Sequence, residues 1–233
     1  MNDLDLSGKR ILVMRALWEQ VPLIERARES GATVVAVDED DDADGLAIAD
    51  ESETIPSLRD LDACLDVAVE YDVDAVVTDE CDYSSFTVAY VGERLNLPTI
   101  GIAAAQRTTN KNRLRQAMEG VVPQPAFEVS TTVEEAAHAA ENIGYPVVVK
   151  PVDNRGAFGV SRVTTPSALR DSFLSALANS HAREVLVEEF VSGTPITVEG
   201  YYVDGTHRTL LIGSKDSSLR IEIPQRTILA PDQ

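Results

Sequence analysis

An apolar run that ends in a lysine and leads straight into a glycine-bearing loop is an arrangement that can hold an anion. Residues 145–163 read YPVVVKPVDNRGAFGVSRV. The run 146–150 is a buried strand by composition, and it delivers Lys150 at its end. A loop with Asp153, Asn154, Arg155, Gly156, Ala157, Phe158 and Gly159 follows, and 160–163 is a returning strand. Glycines let successive backbone N–H groups turn the same way and close on a negative group. Lys150 adds a point charge suited to phosphate, and Arg155 can add a planar fork. The bland alternative is a β-hairpin with a glycine turn. Against it, a loop of about nine residues is longer than most hairpin turns, and a lysine closing an apolar strand needs an anionic partner. The segment is not a P-loop, because Lys150 precedes the glycines and no GK[ST] occurs.

A second segment, 184–200, reads EVLVEEFVSGTPITVEG. An apolar strand ends in Glu188-Glu189, and the chain turns at Ser192-Gly193. Side chains alternate along a strand, so one of two adjacent glutamates faces inward. A buried carboxylate needs a partner or a ligand. A base edge offering an amino group would serve, with the backbone of the next residues reading the ring. Taken alone, the segment favours the plainer reading of two surface glutamates at the end of a strand.

The elements that must position these groups fall into two halves. In the first, strands at 10–14, 32–37, 73–78 and 98–102 alternate with helices at 20–30, 58–71 and 84–95. Such alternation gives a parallel sheet with helices on both faces, a Rossmann-like α/β domain. Its first strand-to-helix turn, Met14-Arg15-Ala16-Leu17-Trp18, has no glycine, so the dinucleotide fingerprint is absent. Trp18 is expected to pack rather than to wall a substrate. The second half has helices at 112–118, 133–143 and 167–178, with Thr132 or Thr131 and Ser167 as caps. Its strands run at 146–150, 160–163, 184–189, 197–203 and 208–214, the last two joined by Asp204-Gly205, a hairpin signal. Residues 122–129, with two prolines, are extended. This half reads as α+β.

Charge divides the chain at the same place. The 233 residues hold 39 acidic and 20 basic side chains, for a net −19. Residues 1–106 carry 24 acids and 7 bases, whereas 107–233 are nearly neutral with 15 and 13. A boundary near residue 106 follows. Only four bases are lysines, Lys9, Lys111, Lys150 and Lys215. An acidic, lysine-poor surface suits a halophilic protein, because salt screens its self-repulsion. It also argues against nucleic-acid binding, which needs cations facing the phosphates.

Other classes are excluded more directly. No apolar run approaches the roughly 18 to 20 residues of a membrane span. The start, Met1-Asn2-Asp3-Leu4-Asp5, is no secretory signal, so a cytoplasmic location is expected. Cys64 and Cys81 have no metal-binding spacing and no basic neighbour to activate a thiolate. His138, His181 and His207 are scattered. The acidic run 38–44 reads as a solvated loop before a metal site. No GxSxG motif is present.

Three segments, 108–118 (TTNKNRLRQAM), 144–160 and 185–200, occur in an order and spacing that resemble the ATP-grasp family of carboxylate–amine and carboxylate–thiol ligases. The resemblance covers most of the chain. It implies that 1–106 is the Rossmann-like domain preceding the ATP-grasp region and that 107–233 begins that α+β region, with a small lobe at about 120–190 and a large lobe after 190. It implies that Lys111 and Lys150 reach ATP, Lys150 at the α-phosphate and adenine edge. Gly156 and Gly159, with Arg155, Ala157 and Phe158 around them, match the loop over the β- and γ-phosphates. Glu188 matches the acid that accepts from the adenine amino group, with Glu189 and Val191 lending hinge contacts; Glu199 falls on a recurrent acidic position. Pro195 stands where the family often has a ribose-binding acid. The family's Mg²⁺-holding acids and asparagine fall beyond Gln233, and Asp216, Glu222 and Asp232 make no acid-x-Asn pattern. The expectation is therefore a truncated ATP-dependent ligase that activates a small carboxylate as an acyl phosphate. The alternative is a non-catalytic nucleotide- or small-molecule-binding protein of the same fold. Exposed core in a shortened chain would favour a homo-oligomer.

Overall fold

Strand β1 (Arg10–Met14) forms where apolar residues run without interruption, and it is buried on both faces. In the computed structural model, which describes residues 4–154, 156–203, 205–215 and 227–229, it lies inside a four-stranded sheet. Strand β2 (Thr33–Asp38) pairs with one edge of β1 in parallel, Leu12 opposite Val35. Strand β4 (Ala75–Val77) pairs with the other, Leu12 opposite Val76. Side-chain alternation then splits the core. Leu12, Met14, Val35 and Val37 pack with Val67 and Val91 of helices α3 (Leu61–Glu70) and α4 (Asp82–Leu95), whereas Val13, Val34 and Ala36 pack with Ile24 and Ala27 of α1 (Val21–Glu29).

The first half departs from the sequence reading in four places. Helix α2 (Asp44–Ile48) and strand β3 (Glu51–Thr54) were not anticipated. β3 reads ESET and carries no apolar signal; it forms at the sheet edge by backbone pairing with β2, Val35 opposite Glu51. No strand forms at 98–102. Helix α5 (Ile102–Thr109) begins there instead, and the Glu93 carboxylate accepts the N–H of Ile102 at 2.7 Å, capping a first turn rich in alanine. Asp38 is buried rather than part of a solvated loop. Its carboxylate accepts the N–H groups of Ala16, Glu39 and Asp40 at 2.6, 2.7 and 3.0 Å and so ties the turn after β1 to the end of β2. Trp18 is 69% exposed, so it does not pack as expected: the turn after β1 lifts it away from the core.

Helix α6 (Lys111–Met118) follows α5, and the Asn110 side chain accepts from Arg113 N at 3.1 Å as its cap. The chain divides into two compact units, Met1–Val122 and Pro123–Gln233, so α5 and α6 go with the first.

In the second unit, β5 (Phe127–Ser130), β6 (Val147–Pro151), β7 (Ser161–Val163) and β8 (Val185–Glu189) form an antiparallel sheet in the order β5-β8-β6-β7. Helix α7 (Val133–Ile143) starts on a complete capping box, Thr132 with Glu135. A 3-10 turn at Pro166–Ala168 takes the place where Ser167 was expected to cap a helix, and α8 (Leu169–Ala178) begins after it. Val147, Val149, Val163, Val185 and Val187 pack one face of the sheet against Ala136, Ala139 and Ala140 of α7 and Leu169, Phe173 and Ala176 of α8. Fully burying a side chain such as Phe173 is worth about 1.5–3 kcal/mol. A second sheet has the order β11-β10-β9, from β9 (Ile196–Val203), β10 (Thr206–Lys215) and β11 (Thr227–Leu229). The β9–β10 hairpin closes at Val203 opposite Thr206; Asp204 of its turn lies outside the described residues.

Candidate functional site

Strand parity builds the site. Since Val147, Val149, Val185 and Val187 face the helices, Val148, Lys150, Leu186 and Glu188 must leave the sheet on its other side. Register brings them together across β6 and β8: Val148 lies opposite Glu188, and Lys150 opposite Leu186. The two segments singled out in the sequence are thus hydrogen-bonded neighbours. The Lys150 ammonium donates to Glu188 Oε2. The pair is only slightly solvated, with side-chain exposures of 17% and 6%. Such a pair keeps a cation and an anion in a poorly solvated place by letting each compensate the other.

The loop joining β6 to β7 is anchored below and open above. Asp153 accepts from Ser180 Oγ, His181 N and Ala182 N at 2.9, 3.1 and 2.7 Å, and the Asn154 amide donates to Asn179 O at 2.7 Å. These contacts pin the loop's start to the segment after α8. Gly159 has φ +70°, and a Cβ there would come within 3.0 Å of Asn179 Cβ and 3.2 Å of Ala176 Cα, so glycine is required both by conformation and by the close approach to α8. Gly156 and Ala157 also have positive φ, at 63° and 57°. Phe158 is 60% exposed. Arg155 lies outside the described residues.

At the end of β8, the Glu189 carboxylate accepts from Ala126 N at 3.2 Å while its own N–H donates to Ala126 O at 2.8 Å. Phe190 N–H donates to Pro146 O at 3.2 Å. Val191 is 65% exposed. Glu199 sits on β9 opposite Leu211, next to a bulge. Lys111 opens α6 in the first unit.

One residue of this face was missed. Arg162 lies opposite Val148 on the far side of β6 from Glu188. Its guanidinium carbon stands 3.9 Å from the centroid of the Phe190 ring. The signal was parity: Val163 points to the core, so Arg162 must share the face of Lys150.

The remaining chemistry-bearing residues are less organised. Among the described residues, the acidic group that could hold a metal ion is the exposed Asp40, Asp41 and Asp42 of the first unit. Asp216, Glu222 and Asp232 lie outside the described residues. His138 is on α7, His181 is exposed after α8, and His207 lies against the Tyr202 ring on the hairpin at 4.9 Å. Cys64 is buried, and burial pushes its thiol up to about 12. Among the described residues, no helix is long and apolar enough to cross a membrane.

Comparison with known proteins gives a consistent family. Residues 106–233 match the family model of the carbamoyl-phosphate synthase L chain, ATP binding domain. The chain is 30% identical over 172 residues to formate-dependent phosphoribosylglycinamide formyltransferase of Prochlorococcus marinus strain MIT 9313, covering 71% of this chain and 43% of that protein. It is 31% identical over 190 residues to the enzyme of the same name from Rhodococcus jostii strain RHA1, covering 75% and 45%. The chain thus spans less than half the length of these curated relatives. Among solved structures, L-amino acid ligase from Bacillus licheniformis superposes with a TM-score of 0.77 at 22% identity, over 97% of this chain and 56% of that one. The ADP complex of N5-carboxyaminoimidazole ribonucleotide synthetase superposes equally, at 0.77 and 18% identity, over 95% and 58%. These two likenesses speak to fold.

Proposed function

Because the chain belongs to the ATP-grasp family of the carbamoyl-phosphate synthase L chain ATP-binding domain, we propose that its 107–233 region binds ATP for a carboxylate–amine ligation. The observation that carries this reading is the side-by-side placement of β6 and β8, with Lys150 and Glu188 paired on the face away from the helices. In this reading Lys150 and the loop residues Arg155, Gly156, Ala157, Phe158 and Gly159 hold phosphates, and Lys111 keeps the phosphate role that the family resemblance implies for it. Glu188 accepts from the adenine amino group, and the backbone of Glu189 and Val191 reads the ring edge. Lysine charge and loop amides are the donor set a triphosphate needs.

ATP supplies the phosphoryl group that converts a small carboxylate into an acyl phosphate open to an amine. The chain's own part is to clamp the phosphates in line and to keep water away. The Asp153 and Asn154 anchors hold the loop's base, and closure of its glycine-bearing part over the phosphates would exclude water. Mg²⁺ is expected alongside the triphosphate. The described carboxylates of the second unit offer no cluster for it. The partners in this reading are ATP, a small carboxylate and an amine, with a homo-oligomer and a cytoplasmic, halophilic setting.

The test is calorimetric titration of the full chain with ATP. Wild type binds, and Lys150→Ala loses about 10-fold to 100-fold in affinity, the worth of a hydrogen bond to a charged group. Equal affinities would remove the phosphate role of Lys150. Phosphate release dependent on added carboxylate and amine separates a ligase from a binder that does not turn over.

A further inference from the structure

Among the described residues, Arg162 is a cation on this face with no part in holding the phosphates or the adenine amino group. Register sets Arg162, Val148 and Glu188 in one row across β7, β6 and β8, and residues paired laterally leave a sheet on the same side. Lys150, one pleat along, has its charge compensated by the Glu188 carboxylate. Arg162 is exposed, and no carboxylate among the described residues pairs with it. Its guanidinium instead lies against Phe190, 3.9 Å from the ring centroid. Phe190 directly follows Glu189, so the side chain of Arg162 reaches over β6 to the segment assigned to the adenine edge.

A guanidinium is planar and stacks on aromatic faces from either side. With one side on Phe190, its other side is available to a second π-system. If Glu188 takes the amino group of the base, the base ring falls over Val148, between Glu188 and Arg162. We propose that Arg162 is a base-recognition residue whose guanidinium stacks on the adenine and is held flat for that purpose by Phe190. The proposal rests on the nucleotide reading and adds to it the side group that selects for a purine ring. A phosphate contact is the competing role for an arginine here. It is disfavoured because the Phe190 contact draws the guanidinium toward Pro146, away from the loop that begins after Lys150.

The experiment titrates the full chain with ATP and separately with inorganic tripolyphosphate, for wild type, Arg162→Ala and Arg162→Lys. ATP affinity falls about 5-fold to 30-fold in both variants, and tripolyphosphate affinity stays as in wild type. Equal losses for both ligands assign Arg162 to the phosphates and overturn the proposal. So does an Arg162→Lys protein with wild-type ATP affinity, because charge without the plane would then suffice. An unchanged ATP affinity in Arg162→Ala removes Arg162 alone and leaves the nucleotide site standing. Failure of wild type to bind either ligand removes the site and the proposal with it. Should Arg162→Ala melt below wild type by circular dichroism, Arg162→Gln replaces it in the same comparison.

Discussion

Breaking the Lys150–Glu188 pair should be asymmetric, and the asymmetry can be worked from the two exposures. The Glu188 side chain is 6% exposed and that of Lys150 is 17% exposed. Two unit charges about 4 Å apart attract by about 4 kcal/mol at the effective dielectric typical of such sites, most of which offsets desolvation. Lys150→Met takes the cation from a carboxylate with little water, at a cost of about 3–5 kcal/mol. Glu188→Gln leaves an ammonium on a four-carbon stem that can turn its head toward solvent, so it costs less, about 1–2 kcal/mol. The double variant has no buried charge to strand, and it should be more stable than the sum of the singles predicts by about 1–3 kcal/mol.

Urea unfolding of the full chain by circular dichroism gives the global values. Native-state amide exchange at Val149 and Val187, in the paired centres of β6 and β8, gives the local ones. Additive singles, or a Glu188→Gln protein less stable than Lys150→Met, would refute the reasoning. The first result would mean that the charges do not sense one another, and the second that Lys150 is the more deeply desolvated partner.

Two further predictions concern titration. The backbone N–H of Thr131, and then its hydroxyl, hold the Glu135 carboxyl below its ordinary range. A folded-state pKa that is depressed contributes stability present above the unfolded value of about 4.5 and lost as pH falls through the folded one. Glu135→Gln should therefore melt earlier than wild type at pH 7 and match it near pH 2, as followed by thermal denaturation; a gap that persists in acid would show that charge is not the origin. Burial raises the Cys64 thiol to about 12, so at pH 8 its thiolate fraction is about 10⁻⁴. Iodoacetamide should leave Cys64 unlabelled in the native protein and alkylate it in urea, by peptide mass mapping; rapid native labelling would refute its burial.

The parallel sheet was legible because its interior strands are buried on both faces and so read as uninterrupted apolar runs, as RILVM does. β3 was not legible, because an edge strand can be all polar and takes its place from the backbone of β2. α5 was misread because 98–102 is short and apolar, a pattern that does not by itself separate a strand from a helix start, and the deciding contact, Glu93 to Ile102 N, comes from a preceding helix. Asp38 looked like one of many solvated acids, since the three amides it accepts converge only in three dimensions.

The site itself was half legible for a related reason. Lys150 and Glu188 drew notice because each is a charge at the end of an apolar strand, which is a conflict visible in one dimension. That they answer each other depends on β6 lying beside β8, a pairing of residues 38 positions apart that no local pattern encodes. Arg162 carried no such conflict: an arginine alternating with Ser161 and Val163 is an ordinary strand surface. It becomes notable only once register puts it in line with Glu188 and a phenylalanine from another strand's end lies beneath it. Sequence thus exposes a site residue when the residue violates its own element. A residue that suits its element but gains its role from a neighbouring strand is visible only in the folded sheet.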